Sequence, residues 1–323
     1  MLPDGEIEVY YFDVGQADCA LVRCGGETML IDAGEVGQGQ LIQGYLDELG
    51  VDQLDYLVAT HPHSDHIGSM AYIASTFEIG RLLMPDVAHT TRAFRDLMDV
   101  IEGKDLDVDF PAPGDTYRLG AAEMTILAPQ KDYGSELNNW SLVLTIRFGS
   151  HTFLFTGDAE AESEADQLRA GADVDADVIK VPHHGSNTSS STEYIAAVSP
   201  GYAVISVGTG NSYGHPTSDV LDVYEQIGAA IYRTDLHGTV IVISDGSDIA
   251  VKTSKTDVLS NSSPPEPTSS ETVSAEIYIG NRSTKKFHLP SCGTLPAEQN
   301  RVSFSSRDDA ISAGYVACKN CAP

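Results

Sequence analysis

The chain has 323 residues, of which 41% are hydrophobic and 20% are charged. This length accommodates one large domain with a full core and a small additional module. No stretch approaches the roughly 18 to 20 unbroken apolar residues of a membrane helix, so we expect no membrane span. The formal charge of −28 opposes broad, non-specific binding of nucleic acid, because a negative surface repels polyanions.

The N-terminal residues contain no basic flank followed by an apolar run, so the sequence as given predicts no secretory signal. Localisation stays open, with the extracellular side favoured if a signal was trimmed and the cytoplasm otherwise. The five cysteines are an odd number, and three of them lie in the last 32 residues. This distribution indicates metal binding by the tail and not a disulfide framework.

A segment rich in serine, threonine and proline, residues 253–275, contains no aromatic residue and predicts a disordered linker. It separates a large domain, residues 1–252, from a C-terminal module, residues 276–323. The module has six Lys/Arg against four Asp/Glu, net +2, which leaves −30 on the rest of the chain. The acidity therefore belongs to the large domain.

In chain order, the large domain begins with alternating residues 6–14 and short apolar runs at 20–23 and 28–31, which predict a sheet. Helical spacing over residues 41–49 ends at Gly50, and residues 54–59 read as a buried strand. Further predicted elements are a helix near 94–101 and strands at 122–127, 141–148, 152–155, 178–181 and 203–207. Helices mixed with several sheets predict a layered α/β or α+β sandwich.

The strongest chemical signal follows the predicted strand 54–59 directly. Here His61, His63, Asp65 and His66 lie within six residues, so their side chains can converge at the end of that strand. Neutral imidazole and carboxylate are ligands that suit Zn²⁺ and related divalent ions. The pattern therefore predicts a metal site.

This His-x-His-x-Asp-His pattern resembles the signature of the metallo-β-lactamase superfamily, whose fold is an α+β four-layer αββα sandwich. The resemblance implies that His61 and His63 bind one ion and that Asp65 and His66 bind a second. It implies that Asp32, in Ile31-Asp32-Ala33-Gly34, orients the site without binding metal. It further implies that a carboxylate after a later strand bridges the two ions.

Asp158, in Phe155-Thr156-Gly157-Asp158, matches that bridging carboxylate, which would set two ions about 3.5 to 4 Å apart. The family's usual third histidine of the first ion is missing before Asp158. We predict that His184 takes its place and that His215 completes the second ion. His183 exchanges roles with His184 if it faces the site, because neighbours on an extended segment point opposite ways.

The candidate catalytic residues are Asp65, Asp32, His183, Asn139 and Ser186. Asn139 either caps a neighbouring turn or hydrogen-bonds a phosphate or the metal ligands. Ser186 follows a glycine that either makes a turn or presents backbone N–H groups to an anionic oxygen. His151 is another candidate ligand, although a hairpin turn explains it.

Several runs narrow the resemblance to the hydrolase domain of ComEC-type DNA-uptake proteins, over about residues 6–251. They are Tyr11-Phe12-Asp13-Val14-Gly15-Gln16-Ala17-Asp18, Asn139-Trp140-Ser141-Leu142-Val143-Leu144, Thr156-Gly157-Asp158, Pro182-His183-His184-Gly185-Ser186 and Arg233-Thr234-Asp235. The resemblance implies DNA as substrate. It adds no membrane channel to this chain.

Two divalent ions, Zn²⁺ or Mn²⁺, would lower the pKa of a shared water from 15.7 towards about 7 and so supply hydroxide near neutral pH. The sequence therefore predicts a two-metal hydrolase, a phosphodiesterase or nuclease acting on DNA. The alternative is a hydrolase of a small ester, such as a phosphocholine ester or a lactone, because one fold hosts many reactions. A third interpretation is a binding protein in which the sandwich is only a scaffold.

The tail contains His288-x₃-Cys292 and, after 25 intervening residues, Cys318-x₂-Cys321. These spacings predict one closed structural zinc site in a small zinc-stapled α/β module. The tail also resembles the Ada-type zinc-binding domain, with His288 in place of a cysteine of the methyl-accepting version. This replacement favours a structural or DNA-contacting role, and the basic residues of the tail either attract phosphate or form an ordinary solvated surface.

Overall fold

The computed structural model describes residues 5–255, 278–289, 292, 294–297, 300–304, 310 and 313–318. The chain divides into two compact units, Met1–Leu259 and Ser260–Pro323. From residue 256 onward the predicted linker lies outside the described residues. The boundaries of that linker therefore stay a prediction.

The first unit contains an eight-stranded sheet in which the chain returns to its starting edge. In chain order its strands are β1 (Ile7–Tyr11), β2 (Ala20–Cys24), β3 (Glu27–Ile31), β4 (Gln53–Val58), β5 (Glu78–Leu83), β6 (Val108–Asp109), β14 (Val240–Ser244) and β15 (Ile249–Thr253). The spatial order is β15-β14-β1-β2-β3-β4-β5-β6. Pairing is antiparallel from β15 to β3 and parallel from β3 to β6.

A seven-stranded sheet faces the first one. Its strands are β7 (Thr116–Leu119), β8 (Ala122–Ala128), β9 (Val143–Phe148), β10 (His151–Phe155), β11 (Val178–Lys180), β12 (Tyr202–Ile205) and β13 (Ala230–Arg233), in the spatial order β13-β12-β11-β10-β9-β8-β7. Pairing is antiparallel from β7 to β10 and parallel from β10 to β13. Each sheet therefore has a parallel half whose carboxyl ends meet at one edge.

Helices cover the outer face of each sheet. They are α1 (Gly39–Glu48), α2 (Ser64–Ile67), α3 (Met70–Thr76) and α4 (Arg92–Lys104) on the first sheet, and α5 (Ala161–Ala170), α6 (Thr192–Val198) and α7 (Ser218–Gln226) on the second, with a short α8 (Thr234–His237) after β13. Strand alternation divides the apolar side chains between layers: Val9 and Tyr11 pack between the sheets, whereas Tyr10 and Phe12 pack under the helices. Three apolar clusters fill the three interfaces, which confirms the predicted αββα sandwich.

The second unit contains a four-stranded sheet in the order β18-β16-β17-β19. Its strands are β16 (Tyr278–Asn281), β17 (Lys286–His288), β18 (Arg301–Phe304) and β19 (Val316–Ala317). Its small core contains Phe287, Ala310 and Tyr315. In the described parts of both units, no helix combines the length and the apolar character needed to cross a bilayer.

Candidate metal centre

The predicted ligands lie at the edge where the parallel strands of both sheets end. Asp32 follows β3, His61 follows β4, Asp158 follows β10 and His184 follows β11. The backbone fixes these segments to one another, since Asp32 N donates to Val58 O at 2.8 Å and His183 N donates to Gly157 O at 3.2 Å. The sandwich therefore brings together residues that are more than 120 positions apart in sequence.

His61 and His63 form the first part of the cluster. His61 is fully buried, and its Nε2 lies 3.0 Å from Nδ1 of His63 and 3.9 Å from Oδ2 of Asp158. Nδ1 of His61 lies 3.2 Å from the hydroxyl of Thr60 and 3.4 Å from that of Ser141. These hydroxyls orient the imidazole so that Nε2 faces the interior of the site.

Asp65, His66, Asp158 and His184 form the second part. One potential ligand atom from each of the four lies within 4.8 Å of the others. Nε2 of His184 lies 3.4 Å from Oδ2 of Asp65, and Nε2 of His66 lies 3.2 Å from Oδ1 of Asp158. Two imidazoles and two carboxylates are a suitable ligand set for a divalent ion.

Asp158 faces both parts of the cluster with different oxygens. Its Oδ1 faces His66, whereas its Oδ2 faces His61 at 3.9 Å and Nε2 of His183 at 3.7 Å. The backbone N–H of Asp158 donates to the Ser141 hydroxyl at 3.0 Å, which fixes the start of this turn. The preceding Gly157 has φ +51° and a Cβ there would lie 2.9 Å from atoms of Ser141 and Thr60, so a side chain would displace these supports.

The two adjacent histidines differ from the sequence-based assignment. The segment Pro182–Gly185 is a short 3-10 helix and not extended, and His183 and His184 have φ of +49° and +52°. Both rings consequently face the cluster, so the premise that neighbours point opposite ways is wrong here. His184 joins Asp65 and His66, and it is His183 that shares Oδ2 of Asp158 with His61.

His215 lies at the margin of the cluster. Its ring centroid is 5.7 Å from that of His183, and its Nδ1 is buried without a hydrogen-bond partner. The ring of Tyr213 stacks on it at 5.8 Å. The structure therefore places His215 beside His183 and not in the group of Asp65 and His66.

Asp32 lies behind the site, as the resemblance implies. Its Oδ1 accepts the backbone N–H of Thr60 at 2.9 Å, and its Oδ2 accepts the Thr60 hydroxyl at 2.8 Å. Nδ1 of His66 donates to the same Oδ2 at 2.7 Å, which leaves Nε2 of His66 directed at Asp158. A carboxylate that orients an imidazole in this way also raises its basicity as a ligand.

A buried ion pair supports the cluster from below, and the sequence reasoning did not assign it. Nζ of Lys180 lies 2.6 Å from Oδ2 of Asp18, and both side chains are nearly inaccessible. Nδ1 of His184 lies 3.3 Å from Oδ1 of Asp18 and 2.8 Å from Ser206 O. The available signal was a lysine at the end of the buried strand β11, since buried lysines need a partner.

Asn139 and Ser186 have contacts typical of local structure. Oδ1 of Asn139 accepts the backbone N–H groups of Glu160 and Ser163, at 3.1 and 3.3 Å, at the start of α5. Ser186 accepts the backbone N–H of Thr188 at 3.3 Å and pairs with its hydroxyl at 3.0 Å. These are the capping and turn alternatives, and a catalytic role for either residue stays a prediction.

The electrostatics of the buried groups favour metal ligands. Burial lowers the pKa of His61 well below its usual range and also lowers that of His63, which keeps both imidazoles neutral. For Asp158, burial opposes ionisation, but the positive charge of His66 overcomes it and holds the pKa well below its usual range. Neutral imidazoles and an ionised carboxylate are the protonation states that bind a metal.

Several buried polar atoms at the centre have no hydrogen-bond partner. They are Nε2 of His66, Oδ1 of Asp158, Nε2 of His184 and Nδ1 of His215. Buried polar atoms are seldom left unpaired, because each lost hydrogen bond costs about 1 to 3 kcal/mol. Their convergence on one volume fits the coordination of divalent ions.

The C-terminal unit contains a second cluster. His288, Cys292 and Cys318 are buried, and their ligand atoms lie within 4.8 Å of one another. Nδ1 of His288 lies 3.4 Å from Sγ of Cys292, and the Thr294 hydroxyl lies 3.3 Å from the same sulfur. Cys321, the predicted fourth ligand, lies outside the described residues.

Comparison with known proteins agrees with these observations. Residues 268–323 match the model of the metal binding domain of Ada, and residues 12–209 match that of the metallo-beta-lactamase superfamily. The chain is 29% identical to "ComE operon protein 3" of Bacillus subtilis, with 73% of the chain and 33% of that protein covered. It is 32% identical to "Competence protein ComA" of Neisseria gonorrhoeae, with 73% and 32% covered.

These relatives confirm the resemblance to DNA-uptake proteins, although the chain spans only about a third of their length. Among solved structures, CmlA, a diiron β-hydroxylase from Streptomyces venezuelae, is similar with a TM-score of 0.51 and 18% identity over 74% of this chain and 54% of that one. At that identity the likeness concerns the fold alone. The family match over residues 12–209, with the His-x-His-x-Asp-His cluster at its strand ends, shows that this chain belongs to the metallo-beta-lactamase superfamily and is a metal-dependent hydrolase.

Proposed function

We propose that the large domain is a two-metal phosphodiesterase that cleaves DNA. The observation that carries the proposal is the position of Asp158, whose two oxygens face two separate groups of imidazoles. A carboxylate in this position holds both halves of a dinuclear site. The relatives named as competence proteins support DNA as the substrate class.

In this proposal His61, His63 and His183 hold one ion with Oδ2 of Asp158. The ligands of the second ion are Asp65, His66 and His184 with Oδ1 of Asp158, and His215 lies beside the first group. Bound divalent ions would activate a water and offset charge on the attacked phosphate. Asp32, Thr60 and Asp18 keep the ligand imidazoles in orientation through the contacts described above.

The buried environment contributes to the chemistry. His61 and Asp158 are almost fully inaccessible, whereas the side chain of Asp65 is 31% exposed. A substrate phosphate therefore approaches the cluster from the side of Asp65. Electrostatic interactions with that phosphate are strengthened on the buried side, because water is excluded there.

The net charge of −28 works against a long polyanion and favours a small or partly neutralised anionic substrate as the second candidate. At physiological ionic strength, interactions between exposed charges are screened beyond about 8 Å. A phosphate next to bound cations therefore experiences chiefly the local charge. A short single strand meets this condition more easily than a long duplex.

The test incubates the full chain with single-stranded DNA, double-stranded DNA and bis(p-nitrophenyl) phosphate, loaded with Zn²⁺ or Mn²⁺. Metal-free protein and Asp65→Asn are the inactive controls, and Asp52→Asn, an exposed aspartate remote in sequence from the ligands, is the matched control. We expect DNA cleavage by the parent and Asp52→Asn only. Hydrolysis of the small diester alone would replace DNA with a small phosphodiester, and no hydrolysis of any substrate would refute the proposal.

We further propose that His288, Cys292, Cys318 and the predicted fourth ligand Cys321 bind one structural zinc ion. A core of three buried residues is small for an independent module, so a metal would supply much of its stability. Metal analysis of the full chain should give one zinc that Cys292→Ser loses while phosphodiester cleavage persists. Retention of that zinc by Cys292→Ser would refute the site.

A further inference from the structure

An exposed aromatic ring lies at the opening of the metal centre. The Tyr213 side chain is 70% exposed, although large aromatic side chains are mostly buried. It lines a cavity of about 300 Å³ together with Asp65, the ligand on the accessible side of the cluster. Gly15, Gln16, Glu35 and Ser64 are on the same lining.

The ring is held in place by the loop that carries it. Oδ1 of Asn211 accepts the backbone N–H groups of Tyr213 and His215, both at 3.1 Å. Nδ2 of Asn211 donates to Gly208 O at 3.1 Å and to His215 O at 2.6 Å. The Tyr213 ring stacks on the His215 ring with an interplanar angle of 27°, so one of its faces is covered and the other is available.

The lining of the cavity selects against phosphate. It contains the carboxylates of Glu35 and Asp65, and no lysine or arginine is among the described residues that line it. A phosphate there would be repelled by like charge, whereas an uncharged ring would not. The hydroxyl of Ser64 and the amide of Gln16 provide polar groups that can meet the edge of such a ring.

We infer that Tyr213 and this cavity form a subsite for a nucleobase, next to the position of the scissile phosphate at the metal centre. The inference rests on the proposed function and extends it from phosphodiesters in general to unpaired nucleotides. Stacking on aromatic side chains is tolerant of sequence, because every base has a π face. A base in a duplex is already stacked and paired, so the subsite favours single strands.

The activity test compares kcat/KM for oligothymidylate and for an abasic strand of the same length in the parent, Tyr213→Ala and Tyr213→Phe. Tyr72, exposed to 38% and hydrogen-bonded to Gln43, gives the matched control Tyr72→Ala. We expect Tyr213→Ala to lose roughly 5- to 150-fold on oligothymidylate, the effect of one base stack. Tyr213→Phe and Tyr72→Ala should retain the parent value, and Tyr213→Ala should lose little on the abasic strand.

A binding test that needs no cleavage uses Tyr213→Trp, because a stacked base quenches tryptophan emission. The parent, whose single tryptophan is Trp140, gives the background. Quenching by oligothymidylate but not by the abasic strand supports the subsite, even if the parent cleaves no diester and the proposed function fails. Cleavage by the parent with equal losses on both strands in Tyr213→Ala, or no selective quenching, overturns the inference alone.

Discussion

Lys180 and Asp18 show how a single buried pair supports the metal centre. Lys180 lies at the end of β11, immediately before the segment that carries His183 and His184, and its Nζ also donates to Val181 O at 2.9 Å. Although burial opposes ionisation of Asp18, Lys180 and His184 lower its pKa to about 2. Asp18 is therefore an anion that touches a ligand imidazole from behind.

Removal of one partner should leave the other charge buried and unpaired. We expect Lys180→Met to lower the free energy of unfolding by about 3 to 5 kcal/mol. The double variant Asp18→Asn/Lys180→Met should recover much of this loss, because no unpaired charge remains. Chemical denaturation of the three proteins measures the coupling, and an additive loss in the double variant would contradict it.

The ligand residues were predictable at this scale because their identity and spacing are local. His61, His63, Asp65 and His66 lie within six residues, and the structure brings three of them into hydrogen-bonding distance of another cluster residue. The partners of His184 were not predictable, since they depend on left-handed backbone at two non-glycine residues. Such backbone costs about 1 to 3 kcal/mol per residue and is found mainly at functional sites.

At the scale of elements, strand alternation gave most of the sheet positions in the large domain. The predicted strand 122–127 corresponds to β8 (Ala122–Ala128) and the predicted strand 178–181 to β11 (Val178–Lys180). The predicted strand 141–148 begins later, at Val143, because Leu137–Trp140 forms a 3-10 helix. The short helix α2 has four residues, too few for a helical period to be visible in the sequence.

Asn139 in that 3-10 helix connects two elements, since its side-chain oxygen accepts backbone N–H groups at the start of α5. We expect Asn139→Ala to lower stability by about 0.5 to 2 kcal/mol, as the loss of a helix cap does. Asn139→Asp keeps an acceptor oxygen and should retain most of that stability. Thermal unfolding measures the difference, with metal content as the second readout.

Because the amide oxygen of Asn139 is engaged by α5, its loss should leave the metal content of the protein unchanged. A catalytic role would give the opposite pattern, with unchanged stability and a large loss of kcat. That result would restore the alternative in which Asn139 contacts a phosphate or the ligands.

At the scale of the whole molecule, the charge of −28 makes an unusual prediction about salt. Binding of DNA by basic surfaces weakens as salt increases. Here we expect kcat/KM for single-stranded DNA to rise between about 50 and 150 mM salt, because screening reduces the repulsion between the acidic domain and its substrate. Steady-state cleavage at constant metal concentration measures this dependence.

The monoanion bis(p-nitrophenyl) phosphate is the control for this effect, since it has one charge and should show a weaker dependence on salt. Inhibition of DNA cleavage by salt would instead indicate that the basic C-terminal module dominates the binding of DNA. The net +2 of residues 276–323 makes that module the basic part of the chain.

The account depends on one carboxylate, Asp158, being shared between two ions. Electron paramagnetic resonance of the full chain loaded with Mn²⁺ tests this directly, because two Mn²⁺ ions joined by a carboxylate are magnetically coupled. We predict a coupled spectrum in the parent and in Asp52→Asn that is lost in Asp158→Asn. A six-line spectrum of isolated Mn²⁺ in the parent, unchanged in Asp158→Asn, would contradict the two-metal site.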